Sequence, residues 1–306
     1  MDRSRRSVLL KKRLYKAGGG FLRTIFLLGV GYVTLYPMLL MISSSFMSVS
    51  DTLDATVVWL PSGLNWFNFQ KAFELMKYGE ALKSTITIVL PCVVLQVVSC
   101  VFIAYGFARF KVPGLGVLFA ILLFNIIVPT DCYIIPVYVL MSKLKLVNTV
   151  WQFYIQALLG AGIRSALYIF IIRQFFRTMP KELEEAAFID GCNPFQTFIR
   201  IMVPNIKPAI LTVSVLSLVW YYNDSSTIGM LLNGNYPLSV AVTSVGAALE
   251  TSLQYLTGQS VSTDLKLLKG SILAAACLIM VLPITAVYIL VQKHFTEGIE
   301  RTGIVG

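Results

Sequence analysis

Residues 178–208 read TMPKELEEAAFIDGCNPFQTFIRIMVPNIKP, a polar and proline-marked stretch set between two long apolar runs. Pro180 ends the helix before it, because proline lacks an amide donor and its ring clashes with the preceding turn. Glu182, Glu184 and Glu185 then fall in the first turn of a new short helix, where carboxylates complement the positive end of the helix dipole. Ala186 and Ala187 are small and let another surface approach. Gly191 is placed to end this helix at C′, a position that favours left-handed backbone. Asn193 and Pro194 start the next helix as N-cap and first-turn residues. Pro204 and Pro208 return the chain to the following apolar run. The local chemistry predicts a helix–turn–helix outside the apolar runs.

Working outward, six apolar runs stand at 21–45, 84–107, 115–140, 150–175, 207–231 and 270–292. Each exceeds the roughly 20 residues a helix needs to cross a bilayer core. The expected fold class is an all-α membrane protein with six transmembrane helices. It consists of a basic N-terminal segment (1–20), a six-span domain (21–292) with the loop 178–208 inside it, and a C-terminal tail (293–306). Composition agrees: 57% of the 306 residues are apolar and 13% charged, and mean hydropathy is +0.76. These values exclude a disordered chain, collagen and a disulfide-stapled secreted domain, and argue against an ordinary soluble enzyme. The first run is too long for a secretory signal and no small-residue cleavage site follows it, so it is expected to stay as an anchor.

The net charge of +10 reads as a topology signal rather than a nucleic-acid footprint. With the N-terminus in the cytoplasm, the basic cluster from Arg3 to Arg23, the pair Arg109 and Lys111, and Arg173, Arg177, Lys181, Arg200 and Lys207 all fall on that side. The outer side receives fewer, among them Lys71, Lys77, Lys83, Lys143 and Lys145. Both termini and the loop 178–208 are therefore expected to be cytoplasmic. Two outer segments exceed tight turns. In 46–83, Trp59, Trp66 and Phe67 suit a membrane interface, and 71–83 has the pattern of a short amphipathic helix. The segment 232–269 reads equally as a re-entrant or docking element and as a plain outer loop.

Five of the six runs contain proline (Pro37, Pro91, Pro129 with Pro136, Pro208 and Pro283), which suits kinked helices around a pathway and is also simply commoner in membrane helices. The five cysteines have no CxxC spacing and His294 is the only histidine, so no metal site is expected. No Gly-Lys dipeptide occurs, which excludes a P-loop; the chain is expected to be non-catalytic and to bind no cofactor. Polar groups inside spans are costly and usually face an interior. Arg164, Asp131, Asn223 and Asp224 are such groups, the last two beside Trp220 and Tyr222. Aromatic rings to stack on, with amides and carboxylates for hydroxyls, are what a sugar site requires. A structural Arg164–Asp ion pair with Trp220 at a packing interface is the alternative. Gln96, Asn125 and Gln156 read either as pathway groups or as helix–helix hydrogen bonds.

Glu185-Ala186-Ala187, three residues, Gly191, nine residues, Ile201, one residue, then Val203-Pro204 resembles the EAA loop of bacterial ABC-importer permeases, with Val203 where leucine is usual. FARFKVPG at 107–114, IIPVYVLMSKLKLVNT at 134–149, Trp220 with Asn223-Asp224, and the tail 292–306 are similar to the carbohydrate, maltose-permease-like branch. Tyr221 and Tyr222 separate the tryptophan from the asparagine, and Val305 stands where that branch often has lysine. The resemblance implies a type I importer permease fold in the bacterial plasma membrane. It implies a heterodimer with a second permease subunit, a dimer of ABC ATPase subunits carrying ATP and Mg, and an extracytoplasmic solute-binding protein delivering a sugar, with an oligosaccharide preferred. Glu182, Glu184, Glu185, Ala186, Ala187, Asp190, Gly191, Pro194 and Pro204 would form the ATPase-coupling element. Trp220, Tyr222, Asn223, Asp224, Arg164 and Asp131 would line the substrate pathway. Import of a non-sugar solute by the same machinery is the near alternative. A gradient-driven transporter or channel would need more intramembrane acids, and an intramembrane enzyme would need a catalytic set such as HExxH.

Overall fold

Among the described residues, an apolar run long enough to cross a membrane survives as one uninterrupted helix in three places: 23–45, 78–109 and 269–292. The computed structural model describes the backbone of residues 3–255 and 265–303, and the side chains of 23–130, 132–251 and 265–292 with Gly20. Every regular element among the described residues is helical. Two compact units are distinguished: 1–72 with 251–278, and 73–250 with 279–306.

In the first unit, α1 (Arg3–Ser45) carries the basic segment and the first apolar run on a single helix, with Pro37 inside it. Its residues Phe26 and Val33 are among the exposed large apolar side chains, as expected of a helix that faces lipid. After α1 the chain folds back on itself. The Asn68 amide donates to the carbonyls of Ser45 and Met47 at 2.9 and 2.8 Å. Ser48 caps α2 (Val49–Leu53) in a capping box with Asp51. Trp59 lies edge-on to Tyr36, centroids 5.0 Å apart, while Phe46 meets Trp66 at 5.3 Å. The amphipathic helix expected at 71–83 starts earlier, as α3 (Phe67–Met76). Lys77, at φ +46, separates it from the next helix, which takes residues 78–83.

The second unit is organised on α4 (Tyr78–Arg109), which accommodates Pro91 without a break. Against it pack α7 (Trp151–Leu158), α8 (Ser165–Thr178) and α12 (Lys207–Asn223). Cys92, Cys100 and Ala104 on α4 are fully buried; small side chains at such positions let helix backbones approach closely. One apolar cluster joins Cys100 and Ala104 to Ile172, Phe176, Met202 and Val213, and another joins Ile88 and Cys92 to Phe153, Ala157, Ile228 and Leu231. Cys92 and Cys100 carry free thiols there and act as small apolar groups.

Three expected spans are interrupted. The run 115–140 divides into α5 (Leu115–Ile127), a 3-10 turn at Thr130–Cys132 and α6 (Ile134–Lys143). Pro129 stands at the break, where it removes the amide that a continuing helix would use. The run 150–175 breaks between α7 and α8. Gly160 there has φ +70, and any β-carbon at Gly160 or Gly162 would collide with Ile103 or with Tyr221 and Gln96. The run 207–231 ends as α12 at Asn223 and resumes as α13 (Ser226–Leu231). Within 232–269, α14 (Leu238–Tyr255) is a well-formed helix rather than a plain loop; residues 256–264 lie outside the described residues.

Candidate functional site

The cytoplasm-assigned stretch folds as its residues dictate. α8 ends at Thr178, just before Pro180. α9 (Glu182–Ile189) carries Glu182, Glu184 and Glu185 in its first turn. Gly191 sits at φ +86. The Cys192 amide reaches the Ala187 carbonyl at 2.9 Å and the Gly191 amide reaches Phe188 at 3.1 Å, the paired bonds of a Schellman stop. Asn193 then caps α10 (Pro194–Thr197) in a capping box with Gln196, Pro194 being in the first turn. A π-helical stretch, Phe198–Met202, follows, then α11 (Val203–Asn205). The chain turns by 75° between Pro194–Asn205 and α12, with Pro204 and Pro208 on either side of the corner.

This helix pair has an outward apolar surface. Ile189 is 87% exposed, and Leu183, Phe188 and Phe195 are exposed with it. Glu182, Glu185, Ala186 and Asp190 are also exposed, whereas Ala187 is buried. Glu184 differs from its neighbours. Its Oε1 accepts the Tyr105 hydroxyl at 2.7 Å. Its Oε2 lies 3.2 Å from Arg109 Nε, an ion pair in which the side chains are only 13% and 8% exposed. That contact lacks the alignment of a hydrogen bond, since Arg109 Nε has no hydrogen-bond partner, but Arg109 Nη2 donates to the Met179 carbonyl at 3.0 Å. Sequence reasoning read Arg109 only as a topology charge and did not single out Tyr105. Their spacing of four residues puts both on one helical face, but nothing in the sequence pairs that face with Glu184.

The breaks in the three interrupted runs converge on a cleft of about 400 Å³, open to solvent. Thr130 and Tyr133 line it from the first break, Gly162 and Arg164 from the second, and Trp220, Asn223, Asp224, Ser226 and Thr227 from the third. Arg164 caps α8 from left-handed backbone, φ +57, and its guanidinium carbon sits 4.4 Å from the Trp220 ring centroid. Among the described residues no carboxylate pairs with Arg164, so its neighbour is an aromatic face. Asp224 Oδ1 accepts the Thr227 amide at 3.0 Å, while its Oδ2 is buried without a partner. The Asn223 amide nitrogen donates to Val219 at 2.8 Å.

Sequence-derived pathway residues divide here. Arg164, Trp220, Asn223 and Asp224 meet in one cleft, with Gln156 on its wall. Tyr222 does not join them; it is buried, and its hydroxyl donates to the Met280 carbonyl at 2.5 Å, because adjacent helical residues point some 100° apart. Asp131 belongs to the 3-10 turn beside the cleft, and its side chain lies outside the described residues. Gln96 serves as helix–helix glue: fully buried, it donates to Ile163 O at 2.6 Å and Ser165 Oγ at 2.9 Å and accepts from Ser217 Oγ at 3.2 Å. Asn125 is exposed on α5. Thr130, Tyr133, Ser226 and Thr227 were not singled out, since small hydroxyls and a tyrosine beside a helix end carry no signal of their own.

One family matches residues 20–301: the binding-protein-dependent transport system inner membrane components. The chain belongs to that family. It is thus a membrane permease component of a transport system rather than a catalyst, and the resemblance carried by Glu185 to Pro204 is borne out at family level. Relatives include the probable ABC transporter permease protein YurM of Bacillus subtilis, 28% identical and covering 89% of this chain and 84% of that one. The arabinooligosaccharides transport system permease protein AraQ of Halalkalibacterium halodurans is 27% identical, covering 94% and 96%. The maltodextrin transport system permease protein MalD of Streptococcus pneumoniae is 26% identical, covering 98% and 99%. Among solved structures, a chain of a bacterial ABC transporter involved in the import of the acidic polysaccharide alginate superposes with a TM-score of 0.70 at 22% identity, covering 96% of this chain and 99% of that one. That likeness establishes the permease fold.

Proposed function

We propose that this chain is one of two permease subunits of a bacterial ATP-driven importer for a sugar, with an oligosaccharide as the preferred cargo. The observation that carries the sugar reading is the cleft itself, where the Trp220 ring stands beside Arg164, Asn223 and Asp224. A ring face and convergent hydrogen-bonding groups are what a pyranose requires, and relatives named for arabinooligosaccharides and maltodextrin favour the same class. In this reading the chain spans the plasma membrane six times, three of the spans being broken at the cleft, with both termini and the helix pair 182–197 in the cytoplasm.

Partners supply what the chain lacks. A second permease completes the pathway as a heterodimer, an external solute-binding protein delivers the sugar, and two ATPase subunits bind ATP and Mg; this chain itself holds no cofactor. The exposed Leu183, Phe188, Ile189 and Phe195, with Glu182, Glu185 and Asp190 around them, form the surface offered to the ATPase. Closure of the ATPases would move the short helices as rigid bodies and switch access to the cleft.

Co-purification tests the reading. The tagged chain, extracted in mild detergent from its native host, should bring down a second permease and an ATPase in stoichiometric amounts, and ligand screening of the accompanying binding protein should return a sugar. A homo-oligomer without ATPase would overturn it; a non-sugar ligand would retain the importer and replace its cargo.

A further inference from the structure

Helix α4 touches both ends of the proposed machine. At its cytoplasmic end Tyr105 and Arg109 hold Glu184 of α9, and Arg109 also ties down Met179 at the end of α8. Tyr105 grips the other half of the helix pair too, its ring 4.8 Å from that of Phe198 in the π-helical stretch. Nine residues earlier, about 13 Å along the helix, Gln96 holds the turn that presents Arg164: it bonds Ile163 and Ser165 on either side of that arginine and Ser217 on α12. No proline interrupts α4 between Gln96 and Arg109, so this segment moves as one body.

We propose that Glu184 is a positioning residue for transport, the latch through which the cytoplasmic helix pair moves the cleft of its own chain. Neighbouring Glu182 and Glu185 face outward, whereas Glu184 is turned inward, so displacement of α9 pulls on Tyr105 and Arg109 and carries Gln96 and the Arg164 turn with them. A carboxylate accepting a tyrosine hydroxyl makes a charge-assisted hydrogen bond, stronger than the neutral bond a glutamine would make, and the ion pair with Arg109 adds to it. The inference rests on the permease reading above, because it assumes that a partner drives α9.

The test uses the intact co-purified transporter in proteoliposomes. Ser226, exposed on the cleft wall, is replaced as Ser226→Cys with Cys132→Ser removing the exposed native thiol, and access is read as the rate of labelling by a membrane-impermeant maleimide. Vanadate-trapped nucleotide should change that rate when Glu184 is present. In Glu184→Gln and in Tyr105→Phe the change should be lost while subunit assembly and ATP hydrolysis persist. Retention of the nucleotide-dependent change in both variants would overturn the latch. Parallel loss of assembly and hydrolysis in both would also overturn it, assigning Glu184 a purely structural role. If nucleotide leaves labelling unaltered with Glu184 intact, the importer reading fails instead.

Discussion

The guanidinium of Arg164 lies over the indole of Trp220, 4.4 Å from the ring centroid, although the two residues come from different helices and are far apart in the chain. In the proposed reading the contact occupies a ring face that a sugar would use, so cargo would have to displace the arginine or draw it to a substrate oxygen. Trp220→Ala removes that ring face and should raise the substrate concentration needed for half-maximal uptake, with subunit assembly intact, and Trp220→Phe should recover part of the loss. Uptake by reconstituted transporter measures this; unchanged uptake in Trp220→Ala would remove the cleft from the pathway.

Gly162 permits a close approach. A β-carbon there would press on the Tyr221 hydroxyl and the Gln96 side chain, both buried. Gly162→Ala should lower stability by about 1–3 kcal/mol, the usual cost of overpacking. Tyr221→Phe removes the obstructing oxygen, so the double variant should lose less than the sum of the singles. Thermal unfolding in detergent reports both effects, and strict additivity would contradict the contact.

The turn between α9 and α10 depends on two backbone choices. Gly191→Ala places a side chain on left-handed backbone at φ +86, costing about 1–2 kcal/mol. Asn193→Ala removes the cap on Gln196, about 1 kcal/mol; Asn193→Asp should keep it. Hydrogen exchange across 182–197 should quicken in the first two variants and stay slow in the third. Faster exchange confined to a different segment would count against this assignment.

Asp51, in the segment after α1, predicts a pH response. The Ser62 hydroxyl and then the Ser48 amide hold its carboxyl at about 2, below the ordinary 3.8. Because the folded value is the lower one, the ionised form stabilises this segment in full above about pH 4, and that contribution is lost as pH falls through the folded value. Ser62→Ala removes the largest cause, so the contribution should be smaller, and its loss, which still sets in near the ordinary value, should be complete at a higher pH. Pepsin cleavage within 46–66, compared between the parent chain and Ser62→Ala at each pH from 4 to about 2, reads this; identical profiles would contradict it.

The elements differ in how visible they were. The pattern from Pro180 to Pro194 dictates its own fold, because caps, stops and first-turn charges act within a few residues; α9, the Gly191 stop and the Asn193 cap follow residue for residue. Runs 21–45, 84–107 and 270–292 likewise emerge within single helices. The other three runs are equally apolar yet broken, because hydropathy counts transfer cost and does not record whether Gly162 must admit Tyr221 or whether Asn223 ends a helix.

Sequence by itself determined the apolar runs, the charge bias, the short helix pair and, through the spacing from Glu185 to Pro204, the family. Tertiary structure decided which polar residues meet. It gathered Arg164, Trp220, Asn223 and Asp224 into one cleft, sent Tyr222 to Met280, and turned Glu184 away from its exposed neighbours onto Tyr105 and Arg109. The physical reason is range. Capping, helix stops and hydrophobic periodicity are local and can be read in order along the chain. A cation over a ring, or a carboxylate in a two-residue grip, is a meeting of distant segments that only helix packing fixes.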